Sequence, residues 1–196
     1  RLDGYDPAAT KDVKLQDIDR WILSDLQKLI DVAHKEYAAF NVMGFCQAVE
    51  EFVDAKLSNW YIRRNRDRFW SNDSTLDDAG KRDKLAAYQT LHPVLLDLCR
   101  LCAPVAPFLT EVMWANLSGG RKPPVSGGSD AQDETRGAHA PRSAASVHLA
   151  DYPAADATLI DAELSQDMDA VLRIVSLGGA ARNAAKHKTR QPLAEL

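Results

Sequence analysis

A chain of 196 residues, 45% hydrophobic and 27% charged, has an ordinary globular composition and enough length for one large or two small domains. Its formal net charge of −4 excludes a uniformly basic surface, so any binding of nucleic acid has to depend on a local cluster of basic side chains. No apolar run approaches the ~18 residues of a membrane span, and three cysteines are too few for a disulfide framework and fit a reducing cytosol.

The first part of the chain predicts a linker followed by a helix. Residues 1–14 are polar and rich in turn formers, and the chain starts with Arg1 rather than Met and shows no signal-peptide pattern, so we expect a piece of a longer protein. Apolar residues then recur at steps of three and four from Ile18 onwards, which predicts an amphipathic helix that ends near Ala39. Asp17 is its expected N-cap.

A second, longer helix is predicted for residues 42–70, with Asn41 as its N-cap. At about 100° per residue, Arg64 and Arg68 fall in the middle of its apolar stripe, with Arg63 on the flank of the stripe and Arg66 nearly opposite. The chemistry of the stripe therefore changes from apolar to guanidinium towards the end of the helix. Either the helix extends beyond its neighbours there, or these arginines meet acids inside the fold.

Two further helices are predicted after a polar loop at residues 71–80. Residues 81–102 form the third, in which Pro93 removes a hydrogen bond and predicts a kink. Pro107 suits the first position of a fourth helix that ends near Leu117. The residues expected on its inner face are Phe108, Val112, Met113 and Leu117.

Four helices joined by short loops predict an all-α helical bundle over residues 15–117, and the composition changes after it. Residues 118–146 are rich in Gly, Ser, Pro and charge, which predicts a flexible insertion. Residues 147–196 are predicted to hold a short extended segment and then a last helix that ends near Lys188 and completes the domain or leads to a further region. The residues expected on the inner face of that helix are Leu164, Met168, Val171, Leu172 and Val175.

The sequence offers no catalytic site. It has no glycine-rich loop before a helix that would hold phosphates, and no nucleophile elbow. Cys99 and Cys102 have a metal-like spacing, but they lie among leucines of a predicted helix and lack two further ligands, so we expect packed core thiols and no metal site.

Two clusters of basic residues remain as candidate RNA-binding residues. Guanidinium groups bind phosphates and base edges, and exposed aromatic rings stack on unpaired bases. The alternative is a solvated surface with structural ion pairs, especially for Arg64 and Arg68, while Trp60 and Tyr61 fall on the apolar stripe and are expected in the core. The candidates are Arg63, Arg64, Arg66, Arg68 and Trp70 in the first cluster and Arg182, Lys186, Lys188 and Arg190 in the second.

Six segments closely resemble the isoleucyl-tRNA synthetases and occur in the order in which that family carries them. They are LQDIDRWILS (15–24), LSNWYIRRNRDRFW (57–70), AAYQTL (86–91), APVAPF (103–108), SVHLADYP (146–153) and AARNAAKHKTRQPL (180–193). The related valyl enzymes typically carry an acid after Trp-Tyr-Ile, where this chain has Arg63 and Arg64, and this difference favours the isoleucyl family. Pro93 and the length of the 118–146 insertion depart from the family pattern.

The resemblance implies a class I synthetase that, when complete, charges tRNA-Ile with isoleucine using ATP and Mg²⁺. The ATP-binding signatures of that family, His-Ile-Gly-His and Lys-Met-Ser-Lys-Ser, are absent from this chain, as is an editing domain. The chain is therefore expected to be the helical anticodon-binding domain, preceded by a linker from the missing catalytic region, without a cofactor of its own and inactive alone. The implied partners are the tRNA-Ile anticodon stem-loop and the catalytic domain in cis, in a cytoplasmic monomer that does not contact membranes.

Two alternatives remain open at this point. One is the equivalent domain of a valyl-tRNA synthetase, which shares the Asp-Arg-Trp-Ile-Leu pattern at residues 19–23. The other is a helical protein-interaction module without RNA binding, because basic clusters of this size are common on solvated surfaces.

Overall fold

A computed structural model describes Tyr5 and residues 13–72, 74–118 and 146–188 of the chain. Within these residues all the regular secondary structure is helical, so the predicted all-α bundle is confirmed. The α-helices are α1 (Asp17–Ala38), α2 (Val42–Glu51), α3 (Arg66–Trp70), α4 (Asp78–Cys102), α5 (Pro107–Leu117) and α6 (Ala162–Ala184). A π-helix (Phe52–Ile62) lies between α2 and α3, and two short 3₁₀ helices (Val147–Leu149 and Ala157–Leu159) precede α6.

Helix α1 is central to the fold, because it packs against α2, the π-helix, α4 and α6. Its predicted extent is confirmed, but the N-cap is Gln16 rather than Asp17, a shift of one residue. The backbone N–H of Gln16 donates to the carboxylate of Asp19 at 3.0 Å and so closes the first turn. Its buried apolar residues are Trp21, Ile22, Leu26, Leu29, Ile30 and Ala33.

The predicted single helix over residues 42–70 is wrong in its geometry. After α2 the chain continues as the π-helix, turns at Asn65 and resumes as α3. Each π-helical turn holds more residues than the 3.6 of an α-helix, so an α-helical wheel loses its register along this segment. Tyr61 and Asn65 are buried, and Arg64 is exposed instead of lying in the middle of the buried stripe.

Helices α4 and α5 form a second, smaller core with the 3₁₀ helix at Val147–Leu149. Helix α4 is continuous through Pro93, and α5 begins at Pro107 as predicted. The predicted inner face of α5 is wrong for Phe108 and Val112, which are 88% and 61% exposed. Because α5 is apolar on nearly all sides, its periodicity does not define one face, and the large ring of Trp114 is buried instead.

The chain returns to the bundle at Ser146. The segment after it is a 3₁₀ helix rather than the predicted extended piece. Glu111 of α5 holds this return, because its Oε2 accepts from the Ser146 hydroxyl at 2.9 Å and from the backbone N–H of Val147 at 3.0 Å. Apart from its two ends, the predicted insertion at 118–146 lies outside the described residues, as does most of the predicted linker at 1–14.

Helix α6 packs on α1 through its first half only. Leu164, Met168 and Leu172 contact the main core as predicted, whereas Val171 and Val175 are exposed, contrary to the prediction. The difference arises because α1 covers only the first part of α6, whereas the apolar pattern of α6 continues beyond that contact.

The three cysteines are free, and no group of metal-binding side chains occurs within the described residues. Burial raises the pKa of the Cys99 and Cys102 thiols to about 11, and Cys46 is exposed.

Since the thiolate is the reactive form, we expect iodoacetamide near neutral pH to modify Cys46 while Cys99 and Cys102 stay protonated and unmodified. Peptide mass spectrometry measures this difference. Denatured protein, in which all three sites should react at similar rates, is the control, and rapid labelling of Cys102 in the folded chain would contradict the assignment.

A candidate nucleic-acid interface

Three arginines are exposed at the end of the bundle that holds α3. Arg63 and Arg64 follow the π-helix and Arg66 begins α3. Within the described part of the chain none of them forms an ion pair with an acid. Trp70 closes α3 with 68% of its surface exposed. We call these four side chains the cationic face.

Two arginines of this region lie against tryptophan rings. The Arg64 guanidinium is 5.3 Å from the centre of the Trp60 ring, and that of Arg66 is 5.9 Å from the centre of the Trp70 ring. Such cation–π contacts restrict a long side chain while its hydrogen-bond donors stay available. The arrangement therefore offers guanidinium donors for phosphates and an exposed indole on which an unpaired base can stack.

Arg68 differs from the other arginines, because it points into the bundle and its side chain is only 10% exposed. Its two terminal nitrogens each donate to one oxygen of the fully buried Asp19 carboxylate, both at 2.9 Å. It also lies 2.9 Å from the Asp83 carboxylate and donates to the Asp83 carbonyl oxygen at 3.1 Å. Of the two roles that the sequence leaves open for Arg68, this geometry favours the structural ion pair.

Tyr61 completes the buried cluster around Asp19. Its hydroxyl donates to Asp19 Oδ1 at 2.7 Å, and burial together with the adjacent carboxylate raises the pKa of this phenol far above its ordinary value. Burial by itself lowers the pKa of the Arg68 guanidinium, but the hydrogen bonds and charge of Asp19, helped by Asp83, raise that pKa above its ordinary value. The cluster thus consists of a neutral phenol, a carboxylate and a guanidinium that stays charged.

The second candidate cluster lies at the exposed end of α6. Arg182 is in the last turn, and Lys186 and Lys188 follow the helix. The Arg182 guanidinium donates to the carbonyl of Lys188 at 3.2 Å, which folds the chain back on the helix end. Arg190 lies outside the described residues. The helix dipole stabilises positively charged side chains at a helix C-terminus, so this position alone does not indicate a ligand.

None of the helices in the described residues has the length and apolar content needed to cross a bilayer.

The sequence model of the family described as "Anticodon-binding domain of tRNA ligase" matches residues 19–196. The chain belongs to this family.

Curated relatives agree with the family assignment. The chain is 38% identical over 196 residues to the isoleucine–tRNA ligase of Clostridium novyi. It is 36% identical over 195 residues to isoleucine–tRNA ligase 2 of Bacillus cereus. Each of these alignments covers 100% of this chain and 16% of the relative. It is 39% identical over 180 residues to the isoleucine–tRNA ligase of Thermus thermophilus, covering 92% of this chain and 15% of that relative. The chain thus spans about a sixth of the length of these relatives, and the isoleucyl resemblance is favoured over the valyl alternative.

Proposed function

We propose that this chain binds the anticodon stem-loop of tRNA-Ile as one domain of an isoleucine–tRNA ligase. The observation that carries the proposal is the cationic face, which is exposed on a member of the anticodon-binding family. Since the net charge of the chain is −4, its attraction for RNA is local and acts at this face rather than over the whole surface.

The side chains of the cationic face have distinct roles in this proposal. Arg63, Arg64 and Arg66 contact phosphates or base edges, and Trp70 stacks on an unpaired base of the loop. Arg68 acts inside the protein, because both terminal nitrogens of its guanidinium are engaged by Asp19 and one of them also pairs with Asp83. The basic end of α6, with Arg182, Lys186, Lys188 and the following Arg190, forms a second contact surface for the RNA backbone.

The proposal extends to the complete enzyme, which charges tRNA-Ile with isoleucine using ATP and Mg²⁺ held by a catalytic domain in cis. This chain contributes no catalytic group and is inactive alone. It acts as a cytoplasmic monomer whose task is to recognise the tRNA. The supporting facts are the names of the relatives and the sixth of their length that the chain covers.

The double substitution Arg63→Ala with Arg66→Ala tests the proposed surface. We expect it to weaken binding of a tRNA-Ile anticodon hairpin at low salt by about tenfold or more, because two charge-assisted contacts to the RNA are lost. Fluorescence polarisation of a labelled hairpin measures the dissociation constant. The matched control, Arg20→Ala with Lys35→Ala, removes two exposed basic side chains of α1 and should change the affinity for the hairpin little. Equal affinities for the two double variants would refute the surface.

A further inference from the structure

We infer that Arg68, through its bridge to Asp19, is a positioning residue that holds the cationic face in the geometry needed for RNA. This inference rests on the proposed function and adds to it a residue that does not touch the ligand. Its basis is the way in which the cluster around Arg68 joins α3 to α1 and α4.

Helix α3 cannot hold its own position. It has only five residues, it follows the turn at Asn65, and the loop from Ser71 onwards comes directly after it. Helices of this length are unstable without tertiary support, because they close very few hydrogen bonds for the residues they order. The orientations of the Arg66 and Trp70 side chains therefore depend on the contacts that hold α3 against the rest of the bundle.

The anchor is the planar fork of Arg68. One edge of the guanidinium is bound by both oxygens of Asp19 in the first turn of α1. The same group reaches the side chain and carbonyl of Asp83 on α4, and it donates to Asn65 Oδ1 at 3.0 Å. A single buried side chain thus ties α3 to α1, to α4 and to the turn that precedes α3.

Two further contacts from α4 hold the backbone on either side of Trp70. The buried Lys84 donates to the Ser71 carbonyl at 2.7 Å, and the Tyr88 hydroxyl donates to the Phe69 carbonyl at 3.4 Å. The Phe69 ring packs in the core against the rings of Tyr61 and Tyr88. The peptide units that flank the exposed indole are therefore fixed, while the indole itself stays open to solvent.

An arginine is required for this geometry, and a lysine cannot replace it. The guanidinium presents parallel donors that match both carboxylate oxygens, whereas a lysine ammonium acts as a point charge without the fork. Arg68→Lys therefore keeps the net charge, and with it the long-range attraction for RNA, but loses the bidentate bridge. This separation of charge from geometry makes the inference testable.

The test compares hairpin binding by the 196-residue chain with that of Arg68→Lys, each at several salt concentrations. For the folded variant we expect an affinity about tenfold weaker with an unchanged salt slope, since no phosphate contact is removed. We also expect acrylamide quenching of tryptophan fluorescence without RNA to change, as Trp70 loses its fixed position. The matched control is Arg20→Lys, at an exposed arginine of α1 that adjoins Asp19 in the sequence. It should leave both the affinity for the hairpin and the acrylamide quenching unchanged. Circular dichroism confirms that each variant is folded at the temperature of the assay.

The outcomes separate the two claims. If Arg63→Ala with Arg66→Ala weakens binding while folded Arg68→Lys binds like the unaltered chain, the positioning role is refuted and the proposed function stands. If the unaltered chain does not bind the hairpin, both are refuted. Should Arg68→Lys fail to fold, Asp83→Asn removes the negative charge of a partly exposed partner of the fork. Because this change makes the chain less negative, a loss of affinity cannot come from net charge, and such a loss at unchanged salt slope is then required of the variant.

Discussion

Replacing Asp19 by alanine is expected to lower the free energy of unfolding by about 3–5 kcal/mol, the usual cost of removing one partner of a buried ion pair. The substitution leaves the Arg68 guanidinium, whose side chain is only 10% exposed, without its main counter-charge. It also removes the acceptor of the Tyr61 hydroxyl and that of the Gln16 backbone N–H. Denaturant unfolding followed by circular dichroism measures the change.

Asp17 provides the matched control for this prediction. It is an acid of the same helical turn, but its carboxylate is exposed and, among the residues that the structure describes, pairs only with the exposed Arg20 at 2.7 Å. Surface pairs of this kind contribute little, so Asp17→Ala should cost less than about 1 kcal/mol. A loss for Asp19→Ala as small as that expected for Asp17→Ala would show that the cluster around Asp19 does not support the bundle. Since whole domains are stable by only about 5–15 kcal/mol, the expected difference is easily measured.

The fold was predictable where one face of a helix is apolar and fully covered. The apolar residues of α1 recur strictly at steps of three and four, and the predicted helix agrees with the observed one to within a residue. The inner face of α5 was not predictable, because Phe108, Val112 and Trp114 are all apolar and periodicity does not choose among them. The exposure of Val175 on α6 depends on how far α1 extends beside it, which is a property of the packing and not of the local sequence.

The candidate site was predictable in composition but not in orientation. The run of arginines and aromatic residues is plain in the sequence, yet the π-helix shifts which of them face outwards. An α-helical wheel treats Arg64 and Arg68 alike, whereas the structure exposes Arg64 and leaves only 10% of the Arg68 side chain exposed. One signal was available, because Asp19 shares the apolar face of α1 with Ile22 and Leu26, and a buried acid requires a cation. The sequence did not show which arginine supplies it.

Salt dependence distinguishes RNA binding at the cationic face from the alternative of a protein-interaction module. If Arg63, Arg64 and Arg66 each neutralise one phosphate of the loop, they should contribute about −2 to the slope of the logarithm of the binding constant against that of the salt concentration. Contacts of the basic end of α6 add to this slope, so affinity should drop roughly twentyfold or more between about 50 and 200 mM salt. Polarisation of a labelled tRNA-Ile hairpin measures the slope, and Arg63→Ala with Arg66→Ala should make it shallower by about 1.4. Arg68→Lys should leave the slope unchanged, because its guanidinium is engaged inside the bundle. A flat dependence in the unaltered chain would remove the electrostatic basis of the proposed function.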